Sequence, residues 1–414
     1  MSALLGGMSP AHFLAEYWQK KPLLVRQALP GFTGLLTPQE LATLAGKASA
    51  VARTVSERAP SANKRFKLEE GPFARLDVAR MPKEKFTLLV QGVEQHVDGA
   101  WDLLQRFSFI PSARIDDLMV SYAVPGGSVG PHFDLYDVFL VQGMGRRRWQ
   151  ISQSDDLTCV ETEDVRVLRN FEPTNEWVLE PGDMLYLPPK VGHWGVAVDA
   201  CMTYSVGFVA PSHEQLVHNF LAFLGQQVGE PEGMYEDPDL ALQTRPAELV
   251  DDAVARVERV LEQLRWDQET VAVFFGRLLT GPKPSTVFTP PKQPLDARAF
   301  AAALSQPGTL TLARQSRMLS RGDRFFLNGE VLHARAHQTI EALRALADTR
   351  TLALPLHGDD VDEGARTAWY ALYRAGFVVL DVPRVGPDDR EHLLLVTKDK
   401  SLQAAARRAG VRAR

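Results

Sequence analysis

Between Leu118 and Ala210 the chain reads as a succession of strand-length segments: LMVSYAV, DVFLVQG, RRRWQIS, VRVLRNF, EWVLEPG, DMLYLPP, GVAVDA and MTYSVGFVA. Some alternate apolar and polar residues and some are continuously apolar, with Pro, Gly and Asp turns between them. Many short strands joined this way argue for an antiparallel β architecture that closes on itself. The 414 residues, 45% of them hydrophobic, leave room for two or three globular domains in all.

Within that region His132 and Asp134 stand two residues apart in SYAVPGGSVGPHFDLYDVFLVQGMGRRRWQ (Ser121 to Gln150), a stretch that reads as a strand after a Pro/Gly-rich lead. Positions i and i+2 of a strand share a face, so an imidazole and a carboxylate project together. With 10 His and 51 Asp plus Glu in the chain, about one such pair is expected by chance. Three occur. His96 with Asp98 closes a predicted helix, FTLLVQGVEQHVDG, and His357 with Asp359 lies in the loop-like HGDDVDEG. Only the first pair reads as strand. Downstream, LEPGDMLYLPPKVGHW supplies a turn at Pro181-Gly182, a short strand from Met184 to Leu187, a Pro188-Pro189 stop and then His193. A strand returning beside the first would bring His193 in as a third ligand. Two His and one carboxylate leave coordination positions open, which suits non-haem Fe(II) and oxygen chemistry.

Across GRRRWQI the odd positions are Gly145, Arg147, Trp149 and Ile151, and the even ones Arg146, Arg148 and Gln150. One face is polar throughout, and the other carries a single arginine among apolar residues. Arg147 is therefore expected to be enclosed, where its planar fork needs an anion and suits a carboxylate.

The run PGGSVGPHFDLYDVFLVQGMGRRRWQ, with RIDDLMVSYAV before it, EPGDMLYLPPKVGH after it and MTYSVGF beyond, resembles the bacterial cupin-like JmjC ribosomal oxygenases. The likeness begins near FLAEYWQKKPLLVR and is strongest over the first half of the chain. It implies an α+β protein: a double-stranded β-helix (cupin/JmjC) barrel, a helical dimerisation region and a C-terminal winged-helix-like domain. It also implies Fe(II), 2-oxoglutarate and O2, with His132, Asp134 and His193 as metal ligands and Arg147 on the distal carboxylate of the cosubstrate. By place in the family pattern, the hydroxyls of Ser121, Tyr204 and Ser205 help to hold 2-oxoglutarate. The expected substrate is an arginine of the large-subunit ribosomal protein L sixteen, and Asp117 and Tyr136 are the candidates to meet its guanidinium. Asp116, Asp137, Asp155 and Asp156 cluster near the same motif, and solvation or turn capping is the favoured explanation of such acids.

The implied boundaries are 1–211 for the catalytic domain, 212–285 for the helical region, 286–382 for the C-terminal domain and 383–414 for a basic extension. Ser9-Pro10 opens a first helix that ends by Pro22, with Leu14, Tyr17 and Trp18 as its buried stripe, and Thr37-Pro38-Gln39-Glu40 opens a second as a capping box. Residues 51–80 read as exposed hairpins or loops, whose Lys64, Arg65 and Lys67 form a solvated face. From Phe86 the spacing turns helical through Leu89 and Val93. After Pro211, Leu216, Phe220, Phe223 and Leu224 make one apolar helical stripe, widened by Val217 and Leu221, and Val254, Val257, Leu261 and Leu264 make another. Stripes this broad require a cover, and the resemblance favours a homodimer. GPKPSTVFTPPKQPLD marks the next boundary, and RFFLNGEVLHA beyond it is a hairpin with an Asn-Gly turn. His333 and His337 have a helix-ligand spacing but straddle a strand-to-helix junction.

The net charge of −5 gives no general electrostatic reason to bind nucleic acid, so a ribosomal link is expected to run through protein. No apolar run approaches membrane-spanning length, and MSALLGGMSP lacks the features of a signal peptide, which makes the cytoplasm the expected location. Cys159 and Cys201 are too few for a disulfide framework. Three rival readings share parts of this pattern. A lysyl demethylase would keep the triad but needs a methylammonium pocket, a cupin isomerase would not need Arg147, and a non-catalytic ribosomal binding module would need none of the ligands.

Overall fold

The structure, a computed structural model, describes residues 3–58, 64–227, 234–262, 264–334, 336–356 and 363–382. The tail from Pro383 and the His357/Asp359 pair lie outside the described residues. The chain forms two compact units, residues 1–287 with 314–333, and residues 288–313 with 334–414.

The first unit is built on β1 (Leu23–Val25), β2 (Val51–Glu57), β3 (Phe66–Glu70), β4 (Phe86–Gln91), β5 (Ile115–Ala123), β6 (Val138–Met144), β7 (Arg147–Ser152), β8 (Asn175–Leu179), β9 (Met184–Leu187), β10 (Gly192–Ala197) and β11 (Cys201–Phe208). Eight of them make one antiparallel sheet in the order β1-β9-β6-β11-β5-β4-β2-β3, and β10-β7-β8 make a second. Alternation sorts the larger sheet into two faces. Leu118, Val120, Phe139, Val141, Met184, Tyr186, Met202, Tyr204 and Val206 pack outward into the core under the helices. Val138, Leu140, Leu185 and Leu187 point the other way, against Trp149, Ile151 and Leu179 of the smaller sheet. The space between the sheets becomes the interior of the barrel.

Helices α1 (Pro10–Glu16), α2 (Pro38–Leu44) and α3 (Ala100–Gln105) cover the outward face. Ser9 caps α1 by accepting from His12 N at 3.2 Å, and Thr37 with Glu40 closes the expected capping box on α2. The residue that α1 buries is Phe13 at 0% exposure, edge-on to Tyr186 at 5.0 Å, whereas Leu14 is 37% exposed. Tyr17 and Trp18 pack partly against the same core.

Phe86–Gln91 and VRVLRNF depart from the local structure expected of them. Phe86–Gln91 is not helical: FTLLV is buried on both faces as β4, hydrogen-bonded between β2 and β5, and tertiary pairing overrides a short apolar run whose period is ambiguous. VRVLRNF forms no strand either. Only Leu168 makes an isolated bridge, to Cys159, and the segment lies as a loop against the β2–β3 hairpin, where Glu163 accepts from the backbone N–H groups of Arg65 and Phe66.

Beyond the barrel the first unit contains α4 (His213–Gln227), α5 (Asp251–Leu261) and α6 (Gln268–Thr280). On α6 lies the hairpin set Met318–Arg321, Arg324–Leu327 and Glu330–His333, turned at Asn328-Gly329, both in the left-handed region. Gly276 lets the Phe326 ring seat on α6, since a Cβ there would lie 2.6 Å from it. Residues 314–333 thus group with the first unit, although the sequence reading assigns them to the C-terminal domain. The second unit has a three-stranded sheet with Gly308–Leu312 between Thr351–Leu354 and Val378–Asp381. In it Phe300 of helix Ala297–Leu304 stacks on Tyr373 of helix Glu363–Arg374 at 4.8 Å. Among the described residues no helix is long and apolar enough to cross a membrane.

Candidate active site

The segment holding His132 and Asp134 is not the strand that alternation suggests. Gly130 sits at φ 82° and Pro131 has no N–H to give a ladder, so the chain bends and regular pairing resumes only at β6. One contact survives the bend. His132 N–H donates to the carbonyl of His193 at 2.9 Å, and His193 N–H donates back to the carbonyl of His132 at 2.7 Å. Two residues later, the Asp134 carbonyl accepts from Lys190 N at 2.7 Å, which ties this loop to the start of β10. As a result, donor atoms of His132, Asp134 and His193 lie within 4.8 Å of one another, the only such cluster among the described residues.

Both rings are oriented from behind. His132 Nδ1 lies 2.9 Å from the Gly130 carbonyl and His193 Nδ1 lies 3.0 Å from the Val191 carbonyl. A carbonyl only accepts, so each Nδ1 carries the proton and each Nε2 keeps a lone pair free. His193 Nε2 is 3.6 Å from Asp134 Oδ2, and the two rings are 4.2 Å apart. Burial, and then the neighbouring His193, push the His132 pKa down, which favours the neutral ring that a metal ligand requires. Two imidazoles and a carboxylate on one side of a point are a donor set for a divalent metal with open positions.

Arg147 is enclosed as its alternation indicates, at 3% exposure with Trp149 and Ile151 on the same face of β7. Its guanidinium donates to Ser121 Oγ at 3.1 Å, to the Gly195 carbonyl at 3.3 Å and to Thr203 Oγ1 at 3.5 Å. Every one of these acceptors is neutral. Nε has no partner at all, and burial pushes the guanidinium pKa down. A buried cation held only by neutral groups fits an anionic ligand carrying a carboxylate. Gly195 gives it room, because a Cβ there would stand 2.8 Å from Arg147 Nε and 2.7 Å from the Trp149 ring.

Triad and arginine line one cavity of about 460 Å³ between the two sheets. Ser121, Thr203 and Ser205 face it, as does Asp117, while Tyr136 and Asp116 stand where it opens. Tyr204 does not reach it. As a neighbour of both Thr203 and Ser205 on β11 it points to the opposite face, where its hydroxyl accepts from Leu35 N at 2.7 Å and Leu36 N at 3.1 Å. Its expected part in cosubstrate binding is therefore withdrawn. Asp137 is likewise turned away, fully buried and accepting from Tyr186 Oη at 2.6 Å and Gln19 Nε2 at 2.9 Å. Asp156 caps its own turn, accepting from Thr158 N at 3.0 Å. Thr203 and Gly195 were missed from the sequence, although the i, i+2 parity with Ser205 marks Thr203.

The JmjC domain family matches residues 102–216, and the ROXA-like winged helix matches residues 263–378. The ribosomal protein uL16 3-hydroxylase of Escherichia coli K12 is 32% identical over 369 residues, covering 88% of this chain and 96% of the relative. A probable ribosomal oxygenase of Haemophilus influenzae is 39% identical over 240 residues, covering 57% of this chain and 56% of its own. Among solved structures, E. coli YcfD in complex with cobalt and 2-oxoglutarate superposes with a TM-score of 0.75 at 29% identity, covering 90% of this chain and 98% of that one. The chain belongs to the bacterial JmjC-domain ribosomal oxygenases, enzymes that use Fe(II), 2-oxoglutarate and O2. The fold fits that assignment in having a cupin barrel followed by a winged-helix match.

Proposed function

We propose that this enzyme hydroxylates an arginine side chain of ribosomal protein uL16, with Fe(II) on His132, Asp134 and His193 and the distal carboxylate of 2-oxoglutarate on Arg147. The observation that carries this reading is the meeting, in one cavity, of a three-donor cluster and a buried guanidinium that has only neutral partners. When bound, the metal and cosubstrate supply the oxidising power for an unactivated C–H bond, with succinate and CO2 as the other products. The chain's own residues bind and orient. The two Nε2 lone pairs and the Asp134 carboxylate fix the metal, Arg147 and Ser121 fix the cosubstrate, and Ser205 adds a hydroxyl on the same face.

At the mouth, Asp117 and Tyr136 are the groups for a guanidinium. Asp117 is 7% exposed, and a cation entering a desolvated site requires such a carboxylate. Burial pushes the Tyr136 phenol up, so it remains a neutral hydroxyl with a π face available to a cation. Gly207 leaves a slot between them: a Cβ there would lie 3.4 Å from Asp117 Oδ1 and 3.9 Å from Tyr136 Cε2. The named activity of the E. coli relative supports uL16 as the substrate, and such a substrate implies action in the cytoplasm. Mass spectrometry of uL16 from cells with and without this chain is the test. We expect the difference of one oxygen atom on a single arginine; the same shift on another residue or another protein rejects the assignment.

The reading extends to a homodimer. Val217 and Leu221 of α4 are 60% and 56% exposed, and Val254 and Leu261 of α5 are 48% and 59% exposed, so a second copy of the chain would cover them. Light scattering should give the mass of two chains at micromolar concentration, and a single-chain mass rejects this assignment.

A further inference from the structure

One cation at the mouth has no part in the reading above. Lys283 follows α6, and its Nζ lies 2.8 Å from Asp116 Oδ1 and 3.9 Å from Asp117 Oδ2. The acids around it are crowded. Glu94, 1% exposed, accepts from Leu118 N at 2.9 Å, and burial followed by the Asp117 charge pushes its pKa up to about 7. Burial also pushes Asp117 up, and Lys283 is the strongest charge acting in the opposite direction.

Lys283 also stands at a junction. The cavity of about 460 Å³ meets a second one of about 390 Å³, and Asp116 and Tyr136 line both. Asp117 lines the first and Lys283 the second, and the metal-binding cluster lines only the first, so the ammonium reaches the carboxylate from the neighbouring cavity. An arginine side chain entering the first cavity would seek the same carboxylate. Lys283 is 39% exposed along its side chain, and Asp116, at 40%, gives it an alternative partner in contact with water. A flexible ammonium can therefore withdraw where a buried carboxylate cannot.

We infer that Lys283 is a built-in competitor for the substrate cation, holding the Asp116/Asp117 pair until a guanidinium displaces it from Asp117, and so setting the affinity of the mouth and its preference for charge. A neutral side chain cannot replace the ammonium charge, and would leave the buried Asp117 with only the Gly92 N–H at 3.3 Å and the weaker pull of the Arg317 charge, which is costly. This inference rests on the arginine reading of the site.

The test is steady-state kinetics with a synthetic uL16 peptide, comparing wild type with Lys283→Met and Lys283→Arg and checking the product by mass spectrometry. For Lys283→Met we expect the peptide KM to fall about threefold to tenfold with kcat within about twofold of wild type. Lys283→Arg keeps the competing charge and should keep the wild-type KM. If wild type oxidises the peptide at an arginine but Lys283→Met leaves KM unchanged or raises it, or if Lys283→Arg lowers KM as far as Met does, the competitor role is overturned. If wild type oxidises no arginine of the peptide, the substrate reading itself falls, and the Lys283 inference with it.

Discussion

His132→Ala is expected to abolish 2-oxoglutarate turnover while the barrel stays folded. The loss should be at least about a hundredfold, because removal of a direct ligand exceeds the effect usual for groups that only orient one. Folding should survive, since the contact that seats residue 132 is made by its backbone N–H and carbonyl, both of which alanine retains. Succinate formation with added Fe(II), read beside a thermal melt, separates the two effects. Equal turnover by parent and variant would remove His132 from the metal site. A collapse of the melt would mean that the ring, rather than the backbone pair, holds this part of the sheet.

Arg147→Ala should leave metal binding intact and raise the half-saturating 2-oxoglutarate concentration about a hundredfold. That is the scale for deleting one partner of a desolvated, charge-assisted pair. Arg147→Lys should not restore affinity, because an ammonium lacks the planar fork that donates to Ser121, Gly195 and Thr203 together. In protein without cosubstrate the guanidinium is desolvated against neutral acceptors only, so Arg147→Met, of similar bulk, should melt no lower than the parent. An unchanged cosubstrate dependence would reject the clamp, and a strongly lowered melt for Arg147→Met would show that the arginine is there for packing.

Strand parity made much of this site legible. It enclosed Arg147, whereas Ser121 was proposed only from its place in the family pattern and lies on the cavity face. Used more strictly it would have rejected Tyr204, since Tyr204 and Ser205 are adjacent on one strand and cannot share a face. For His132 and Asp134 the conclusion survived although its premise failed. They converge from a bend, and the force that aligns them is the backbone bridge from His132 to the distant His193. Parity could not separate helix from strand in FTLLV, where both faces are buried and the pattern has no period. Lys283 was out of reach for a different reason. Its partners at 116 and 117 lie far back in the chain, and only the folded first unit makes them neighbours.

The reciprocal backbone bond between His132 and His193 has a consequence for how such a barrel could change over time. The geometry of the bridge belongs to the polypeptide and not to the imidazoles, so a chain that exchanged either ring would still close at the same place. Loss of chemistry and loss of shape are thus separable events, and a descendant without iron could persist as a rigid cup for grasping its old target.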